Sequence, residues 1–227
     1  MNIFSNMSYH TYRLLISIVI LIGIIIYMCI QRTRIESFDD IYPTIKEIPD
    51  FITDKEAHHI IQISTDKLTR SHTMGEHLSN MRTSYNTFIE NDDPIAKNII
   101  SRVAHLTGHP VENYEKIQVI RYTKNQEYKP HFDACDKNDS HCIDDYKRGG
   151  YRVLTLFINL NDDFEGGETV FPNINKKFTP KKNRAILFHN LTSDGSQIHQ
   201  HALHGGAPIK SGTKWAANIW IRQNKFI

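Results

Sequence analysis

The chain has 227 residues, of which 40% are hydrophobic, enough to bury one good core with room for a small appendage. Its formal net charge is +2 and its lysines and arginines are scattered, so the charge balance gives no indication of a nucleic-acid partner. Thirteen histidines keep metal chemistry open.

Residues 14–30 form an apolar run without a charge. As a helix, such a run is near the lower limit for crossing a hydrocarbon core of ~30 Å. The alternatives are a buried core helix and a cleaved signal peptide. A helix that is apolar on every side has little to pack against in a small domain, and no small-x-small cleavage site follows the run. We predict a tail and transmembrane signal anchor over residues 1–34, whose orientation the arginines on both sides leave undecided.

Two helices are predicted after a polar, proline-containing linker over residues 35–49. Thr53–Glu56 is a capping box ahead of a run with helical apolar periodicity, Ala57–Leu68. Pro94 at a first helical position begins a second helix, which extends to about residue 107. Residues 69–90, between the two helices, are polar and predicted to be irregular, with a turn at Met74–Glu76.

From Glu115 the hydrophobic period changes to that of β-strands. The predicted strands are Ile117–Tyr122, Tyr128–Phe132, Tyr151–Leu160, Glu168–Pro172, Ala185–His189 and Thr213–Ile221, with residues 135–150 as a loop. Two helices followed by many short strands indicate the α+β class, with a β-sandwich or barrel buttressed by helices. Residues 50–227 are assigned to this domain.

Cys135 and Cys142 flank a polar loop. They are either a disulfide, if the domain lies in an oxidising lumen, or two free thiols. Their spacing is not that of a zinc site, because no second pair of Cys or His stands at the usual separation.

A metal site is predicted from two imidazoles and one carboxylate. His131 and Asp133 form an H-x-D, and His204 precedes two glycines. Two histidines and a carboxylate are the facial triad of non-haem Fe(II) oxygenases, which leaves positions open for substrate and O2. Because alternate side chains of a strand share a face, His131 and Asp133 are expected to point the same way. His199 and His201 are rivals for the third position, but neither precedes the glycines.

Lys214 lies ten residues after His204 and alternates in phase with Ala216, Asn218 and Trp220 on a predicted strand. This face is expected to point into the barrel, where an ammonium must be paired or shift its pKa. A dicarboxylate ligand would answer that need. The alternative is an exposed edge lysine on a strand of reversed phase.

From about residue 50 to its end, the chain resembles the prolyl 4-hydroxylase catalytic domain of the 2-oxoglutarate/Fe(II) dioxygenases. The matching segments are Leu106–Glu112, Gln118–Tyr122, Tyr128–Asp133, Phe164–Pro172, and Leu203–Ile209 leading into Gly212–Trp215. The resemblance implies a double-stranded β-helix, or jelly roll, with iron at one open end, and Fe(II), 2-oxoglutarate, O2 and ascorbate as cofactors. Many members have one N-terminal membrane anchor and face the secretory lumen, so the resemblance implies a catalytic domain in the endoplasmic reticulum.

The resemblance also implies residue roles. His131, Asp133 and His204 match the iron ligands, and Lys214 matches the partner of the distal carboxylate of 2-oxoglutarate. The other matches are Tyr122 and Thr155, whose hydroxyls would help to hold 2-oxoglutarate, and Tyr128, Arg152 and Trp220, which would line the peptide groove. One departure is Asn159, where relatives usually have a tyrosine, so the cosubstrate pocket is expected to be reshaped.

Three functional hypotheses follow. The first is a peptidyl-prolyl 4-hydroxylase acting on proline-rich, extended chains, whose polyproline II shape costs little entropy to bind. The second keeps the oxygenase class but changes the substrate to another protein residue or a small molecule. The third is a membrane-tethered jelly-roll binding module without turnover, against which the complete triad and Lys214 argue. A nucleic-acid demethylase is a weaker rival because the chain has no basic stripe.

Overall fold

The computed structural model describes residues 17–28, 45–72, 80–136 and 138–227. The chain divides into two units, residues 1–42 and residues 43–227. In the first unit, helix α1 covers residues 17–28 and its large apolar side chains are exposed. The described part of the chain contains no helix with both the length and the apolar character needed to span a membrane. The predicted transmembrane helix is therefore not supported: α1 rises only about 18 Å, and residues 14–16 and 29–30 lie outside the described residues.

The second unit is built mainly from short antiparallel strands. Its α-helices are α2 (Asp54–Ser64), α3 (Pro94–Thr107) and α4 (Ile143–Lys147). Its strands are β1 (Lys46–Ile48), β2 (Thr69–Arg70), β3 (Tyr85–Phe88), β4 (Gln118–Tyr122), β5 (Tyr128–His131), β6 (Arg152–Asn159), β7 (Phe164–Gly166), β8 (Thr169–Phe171), β9 (Lys176–Phe178), β10 (Ala185–His189), β11 (His204–Gly206), β12 (Ile209–Gly212) and β13 (Lys214–Arg222).

These strands form a large sheet of order β1-β10-β6-β13-β4-β3-β2, a small sheet of order β5-β11-β8-β9, and the pair β12-β7. Neighbouring strands pair antiparallel throughout. Antiparallel strands in two larger sheets and one strand pair, with helices packed on the large sheet, confirm the predicted α+β jelly roll.

Helices α2 and α3 begin where the sequence predicts. Thr53 Oγ1 accepts from the backbone N–H of Glu56 at 3.2 Å and the Glu56 carboxylate accepts from the backbone N–H of Thr53 at 2.7 Å, which is a complete capping box. The Asp93 carboxylate caps α3 by accepting from two backbone N–H groups of its first turn. Gly108 ends α3 in the left-handed conformation, with φ of 72°.

The main core lies between these helices and one face of the large sheet. Ile60 and Ile99 from the helices are fully buried against Leu156 and Ile219 from the sheet. Because successive strand residues point to opposite faces, the other face of β6 and β13 is turned toward the small sheet. The functional side chains lie on that second face.

The structure contains elements that the sequence does not predict. Lys46–Ile48, assigned to the linker, pairs with β10 at the edge of the large sheet. The supposedly irregular segment 69–90 contains β2 and β3, and the predicted loop 135–150 contains α4. Strand β3, Tyr-Asn-Thr-Phe, has too few apolar residues to show a period, and α4 is too short to show one. The turn predicted at Met74–Glu76 lies outside the described residues.

Cys135 and Cys142 form a disulfide, with their Cα atoms 5.5 Å apart. Of the two alternatives left open by the sequence, the structure has the bonded one. The disulfide closes the loop that directly follows Asp133 and leads into α4. It thus restrains the segment between a candidate metal ligand and the helix beside it.

Candidate active site

Two histidines face each other across the small sheet. His131 ends β5 and His204 begins β11, and the two residues are direct partners in the antiparallel ladder. Their ring centroids are 4.4 Å apart. The approach of the strands depends on Gly205, because a Cβ at this position would lie 2.9 Å from the Tyr128 carbonyl oxygen. This close approach explains why a glycine follows His204.

Both imidazoles are oriented in the same way by backbone carbonyls. Nδ1 of His131 lies 2.9 Å from the carbonyl of Lys129, and Nδ1 of His204 lies 2.9 Å from the carbonyl of Ala202. A carbonyl can only accept, so each Nδ1 carries the proton and each Nε2 keeps its lone pair. The two Nε2 atoms are 3.5 and 3.6 Å from the carboxylate oxygens of Asp133. Both histidines are thereby prepared to bind a metal through Nε2.

Asp133 completes the group but does not share the strand of His131. Strand β5 ends at His131, and Asp133 lies beyond it in a bend, 5% exposed. The expectation that strand alternation alone aligns the two ligands is therefore wrong. The ligand atoms of His131, Asp133 and His204 nevertheless lie within 4.8 Å of one another, and no other described group of three such side chains is placed to hold a metal.

The electrostatics of the group suit a divalent cation. Burial opposes ionisation of Asp133, but His204, His131 and Arg152 outweigh it and hold the pKa of its carboxyl well below the usual range. Burial lowers the pKa of His204 to about 4, so that its imidazole is neutral at pH 7. One carboxylate and neutral imidazoles are the protonation states in which these groups bind metals. The set fits Fe(II), for which two histidines and one carboxylate are a known facial triad.

On one side of the triad is a small cavity between the two sheets. His131, His204, Tyr122 and Lys214 are among its lining residues. Lys214 is 2% exposed, and its Nζ donates to the carbonyl of Gly167 at 2.6 Å. Burial lowers the pKa of Lys214 to about 7. The prediction that Lys214 points inward from β13 is confirmed. Its buried amino group lies in the same cavity as both histidines.

Tyr122 and Thr155, both predicted to contact 2-oxoglutarate, lie in different places. Tyr122 lines the cavity with Lys214, and burial raises the pKa of its phenol. Thr155 is not among the lining residues, and its hydroxyl donates instead to the Asp133 carboxylate at 2.8 Å. The position of Tyr122 is compatible with its predicted contact to 2-oxoglutarate, which stays a prediction. The hydroxyl of Thr155 is directed at the candidate metal ligand Asp133.

The aromatic ring of Phe157, which the sequence analysis does not single out, lies next to Lys214. Phe157 lines the cavity, and its ring centroid is 5.0 Å from Lys214 Nζ. Asn159, two residues along β6, is 1% exposed, and its Oδ1 accepts no hydrogen bond from the described residues. Asn159 is absent from the cavity lining, so the expected reshaping of the cosubstrate pocket stays a prediction.

On the other side of the triad is an open groove. Tyr128, Arg152 and Trp220, predicted to contact substrate, line it together with His131 and Asp133. The Tyr128 ring stacks on His131 with centroids 3.5 Å apart, and Arg152 Cζ lies 3.7 Å from the centroid of the Trp220 ring. The structure therefore brings all three together beside the triad. Their contacts with a substrate stay a prediction.

Sequence reading missed three charged side chains that support this groove. Arg82 is 6% exposed, lines the groove and lies with Cζ 4.8 Å from the centroid of the Tyr128 ring. The Glu115 carboxylate, 4% exposed, accepts from Arg152 Nε at 2.6 Å and from Arg222 Nε at 2.7 Å. No local motif marks the Glu115 pairs, because Arg152 and Arg222 are 37 and 107 positions away from Glu115 in the sequence.

Replacing Glu115 with Ala should destabilise the protein by about 3–5 kcal/mol, because the buried Arg222 and the largely buried Arg152 would lose the carboxylate that they share. Urea unfolding followed by circular dichroism measures this. The exposed Glu90, which pairs with Lys116 at the surface, provides the matched control: its replacement by Ala should cost at most about 1 kcal/mol. Equal effects of the two substitutions would show that the Glu115 network contributes no more to the free energy of unfolding than a surface ion pair does.

Comparison with known proteins supports the same type of site as the geometry, an Fe(II) oxygenase site. The model of the 2OG-Fe(II) oxygenase superfamily matches residues 117–222, the range that contains every predicted site residue. A protein of Acanthamoeba polyphaga mimivirus, whose name assigns it to the prolyl 4-hydroxylases, is 36% identical over 190 residues, which is 84% of this chain and 78% of the relative. The chain belongs to the prolyl 4-hydroxylase family.

Two further members support the assignment. Prolyl 4-hydroxylase 1 of Arabidopsis thaliana is 36% identical over 202 residues, which cover 80% of this chain and 69% of that protein. The crystal structure of the viral collagen prolyl hydroxylase from Paramecium Bursaria Chlorella virus-1, in its 2OG complex, matches with a TM-score of 0.64 and 28% identity over 83% of this chain and 99% of that one.

The chain is therefore a 2-oxoglutarate-dependent dioxygenase that uses Fe(II), 2-oxoglutarate and O2. Its donor set fits the metal: two Nε2 atoms with free lone pairs and one ionised carboxylate converge on one point. Lys214 and Tyr122 fit the cosubstrate, since an ammonium and a phenol are the donors that a carboxylate requires in a buried pocket.

Proposed function

We propose that this protein hydroxylates prolyl residues of proline-rich peptides or proteins at C4, with release of succinate and CO2. One observation carries the proposal: His131 of the triad lines both a cavity that holds a buried lysine and an open groove whose lining includes aromatic rings. The buried Lys214 in the cavity suits a dicarboxylate, and the groove is open to solvent, as the binding of an extended chain requires.

The chemistry that Fe(II) supplies with 2-oxoglutarate is oxidative decarboxylation, which delivers one oxygen atom of O2 to the substrate. The protein supplies binding and orientation. His131, Asp133 and His204 hold the metal, and Lys214 donates to the distal carboxylate of the cosubstrate. Because the cavity and the groove meet at His131, a substrate in the groove lies next to the metal without entering the cosubstrate cavity.

The groove favours a proline-containing substrate. The rings of Tyr128 and Trp220 form part of the groove wall and give a proline ring apolar surface to pack against, and the polyproline II shape of such chains is formed before binding. The relatives point to the same substrate class, since they are named prolyl 4-hydroxylases and a viral structural neighbour is named a collagen prolyl hydroxylase.

The direct test is turnover of 2-oxoglutarate to succinate by a protein lacking residues 1–34, with Fe(II) and with ascorbate as the reductant we expect it to use. The assay is run with and without a proline-rich peptide, and with His131→Ala as the inactive control. We expect peptide-stimulated succinate formation and a mass gain of about 16 Da on proline, placed at C4 by NMR. Turnover that no peptide stimulates would reassign the substrate, and no turnover by an iron-loaded protein would indicate a binding module.

Replacing Trp220 with Leu should raise KM for the peptide about tenfold, because loss of an aromatic anchor in a groove costs about 1–2 kcal/mol. Turnover of 2-oxoglutarate without peptide should stay unchanged, since Trp220 does not line the cosubstrate cavity. Trp215→Leu is the matched control: Trp215 lies on the same strand but packs against the helix-side core. An equal rise of KM in both variants would place the peptide elsewhere.

We also propose that residues 1–34 attach the protein to a membrane, with the catalytic domain in the lumen of the endoplasmic reticulum. Support comes from the uncharged sequence of residues 14–30, the exposure of the large apolar side chains on α1, and a disulfide, which persists in oxidising compartments. Alkaline carbonate should leave the full chain in the membrane pellet and release the protein lacking residues 1–34. Release of both would reject the anchor, and digestion of the domain by protease added to intact microsomes would reject the lumen.

A further inference from the structure

Asp133 differs from the two histidines in how the fold holds it. His131 and His204 belong to paired strands and their Nδ1 atoms are fixed by backbone carbonyls. Asp133 lies beyond the end of β5, so no ladder of backbone hydrogen bonds determines its direction. A carboxylate must be held by other means if it is to meet a metal in a defined orientation.

Two buried polar side chains contact this carboxylate in series. Thr155 Oγ1 lies 2.8 Å from Asp133 Oδ2, and Asn190 Nδ2 lies 2.9 Å from Thr155 Oγ1. Thr155 and Asn190 are each 1% exposed. An ionised carboxylate can only accept, so the single hydroxyl proton of Thr155 points to Asp133 and its oxygen accepts from Asn190. Hydrogen bonds aligned in one direction strengthen one another.

The far end of this series is rigid. Thr155 lies in β6, where it is paired with Phe188 of β10 and with Trp220 of β13. The backbone N–H of Asn190 donates to Val153 at 2.9 Å, and the carbonyl of Asn190 accepts from His199 at 2.9 Å. The two side chains therefore connect the centre of the large sheet to a ligand that the small sheet does not hold.

We propose that Thr155 and Asn190 are positioning residues for the iron ligand Asp133 and do not bind the cosubstrate. The resemblance to the family implies that Thr155 contacts 2-oxoglutarate. In this structure its one proton is given to Asp133, and it is absent from the residues that line the cavity of Lys214. The inference depends on the iron site alone and holds for any substrate of the enzyme.

Thr155→Val tests the proposal because valine keeps the shape of threonine and removes only the hydroxyl. Fe(II) affinity, titrated anaerobically without substrate, should fall about 10–100-fold, as is usual when a partner of a metal ligand is lost. Affinity for 2-oxoglutarate, measured with Mn(II) at saturating concentration in place of iron, should stay within about twofold. Thr155→Ser keeps the hydroxyl and should restore Fe(II) affinity to near that of the unmodified protein.

The opposite pattern overturns the proposal. If Thr155→Val binds Fe(II) normally but loses 2-oxoglutarate at saturating metal, Thr155 is a cosubstrate residue. If serine does not restore Fe(II) affinity, the effect belongs to packing and not to the hydrogen bond. Circular dichroism of the metal-free variants shows whether they fold.

Asn190→Leu tests the far end of the series, since Asn190 acts on Asp133 only through Thr155. It should weaken Fe(II) binding several-fold, less than Thr155→Val does, with little change for 2-oxoglutarate. It also provides the decisive variant if Thr155→Val does not fold. Unchanged Fe(II) affinity in Asn190→Leu removes Asn190 from the proposal.

Discussion

His204→Ala should lose both Fe(II) binding and turnover of 2-oxoglutarate, whereas His201→Ala should keep both. The two histidines are three residues apart, and both are candidate ligands in the sequence. In the structure only His204 joins His131 and Asp133, with its Nε2 3.6 Å from the Asp133 carboxylate. Removing one of three ligands should weaken Fe(II) binding by more than the roughly 10–100-fold cost of losing an outer partner.

His201 is a well-matched control because its side chain lies in a short 3-10 helix outside the metal group. Anaerobic Fe(II) titration and succinate formation measure the two effects separately. Loss of iron and activity in His201→Ala, with normal values in His204→Ala, would show that His201 and not His204 is the third ligand. The Tm of each metal-free variant controls for unfolding.

The features that the sequence predicts well are those fixed by short spacing. The capping box at Thr53, the proline at the start of α3 and the phase of β13 depend on neighbours a few positions away. The phase of β13 is informative because strand alternation forces Lys214 and Trp220 onto one face, and burial of the other face against helices determines which one points inward. The triad follows from the H-x-D spacing and the family resemblance and not from strand alternation, since Asp133 lies beyond the end of β5.

The features that the sequence could not predict depend on contacts between distant segments. Whether the Thr155 hydroxyl meets the cosubstrate or Asp133 depends on how β6 lies against the end of β5, and strand periodicity does not contain that information. Glu115 is joined to Arg152 and Arg222 only after β4, β6 and β13 have paired. Such contacts are long in sequence and short in space, so a local pattern cannot reveal them.

Lys214→Met should abolish binding of 2-oxoglutarate and at the same time make the cosubstrate-free protein more stable. Lys214 is buried and its ammonium donates to one backbone carbonyl in the free protein. Burial lowers its pKa to about 7, compared with an ordinary value of 10.5. Methionine has a similar length and no charge, so it fills the site without this desolvation penalty.

The sign of the stability effect follows from the direction of the pKa shift. The folded protein releases the Lys214 proton more easily than the unfolded chain does, so the lysine destabilises the fold wherever the unfolded chain holds that proton. The cost is largest at and below pH 7, at up to about 5 kcal/mol, and it vanishes as pH approaches 10.5. Lys214→Met should therefore raise Tm strongly at pH 6.5 and little at pH 10. The exposed Lys210, replaced by Met, should change Tm at neither pH.

The unmodified enzyme should show the same ionisation in its affinity for 2-oxoglutarate. A carboxylate beside Lys214 needs the ammonium form, which the free protein loses as the pH rises through the Lys214 pKa of about 7. Binding then takes up one proton, and the Kd for 2-oxoglutarate should rise by up to about tenfold per pH unit above pH 7. Isothermal titration at saturating Mn(II), in two buffers of different ionisation enthalpy, measures both the affinity and the proton uptake. An affinity that is constant from pH 7 to 9 would mean that Lys214 is charged before 2-oxoglutarate arrives. In that case the free protein would already stabilise the charge of Lys214. The need of a buried ammonium for a counter-ion would then not explain why this cavity selects a dicarboxylate.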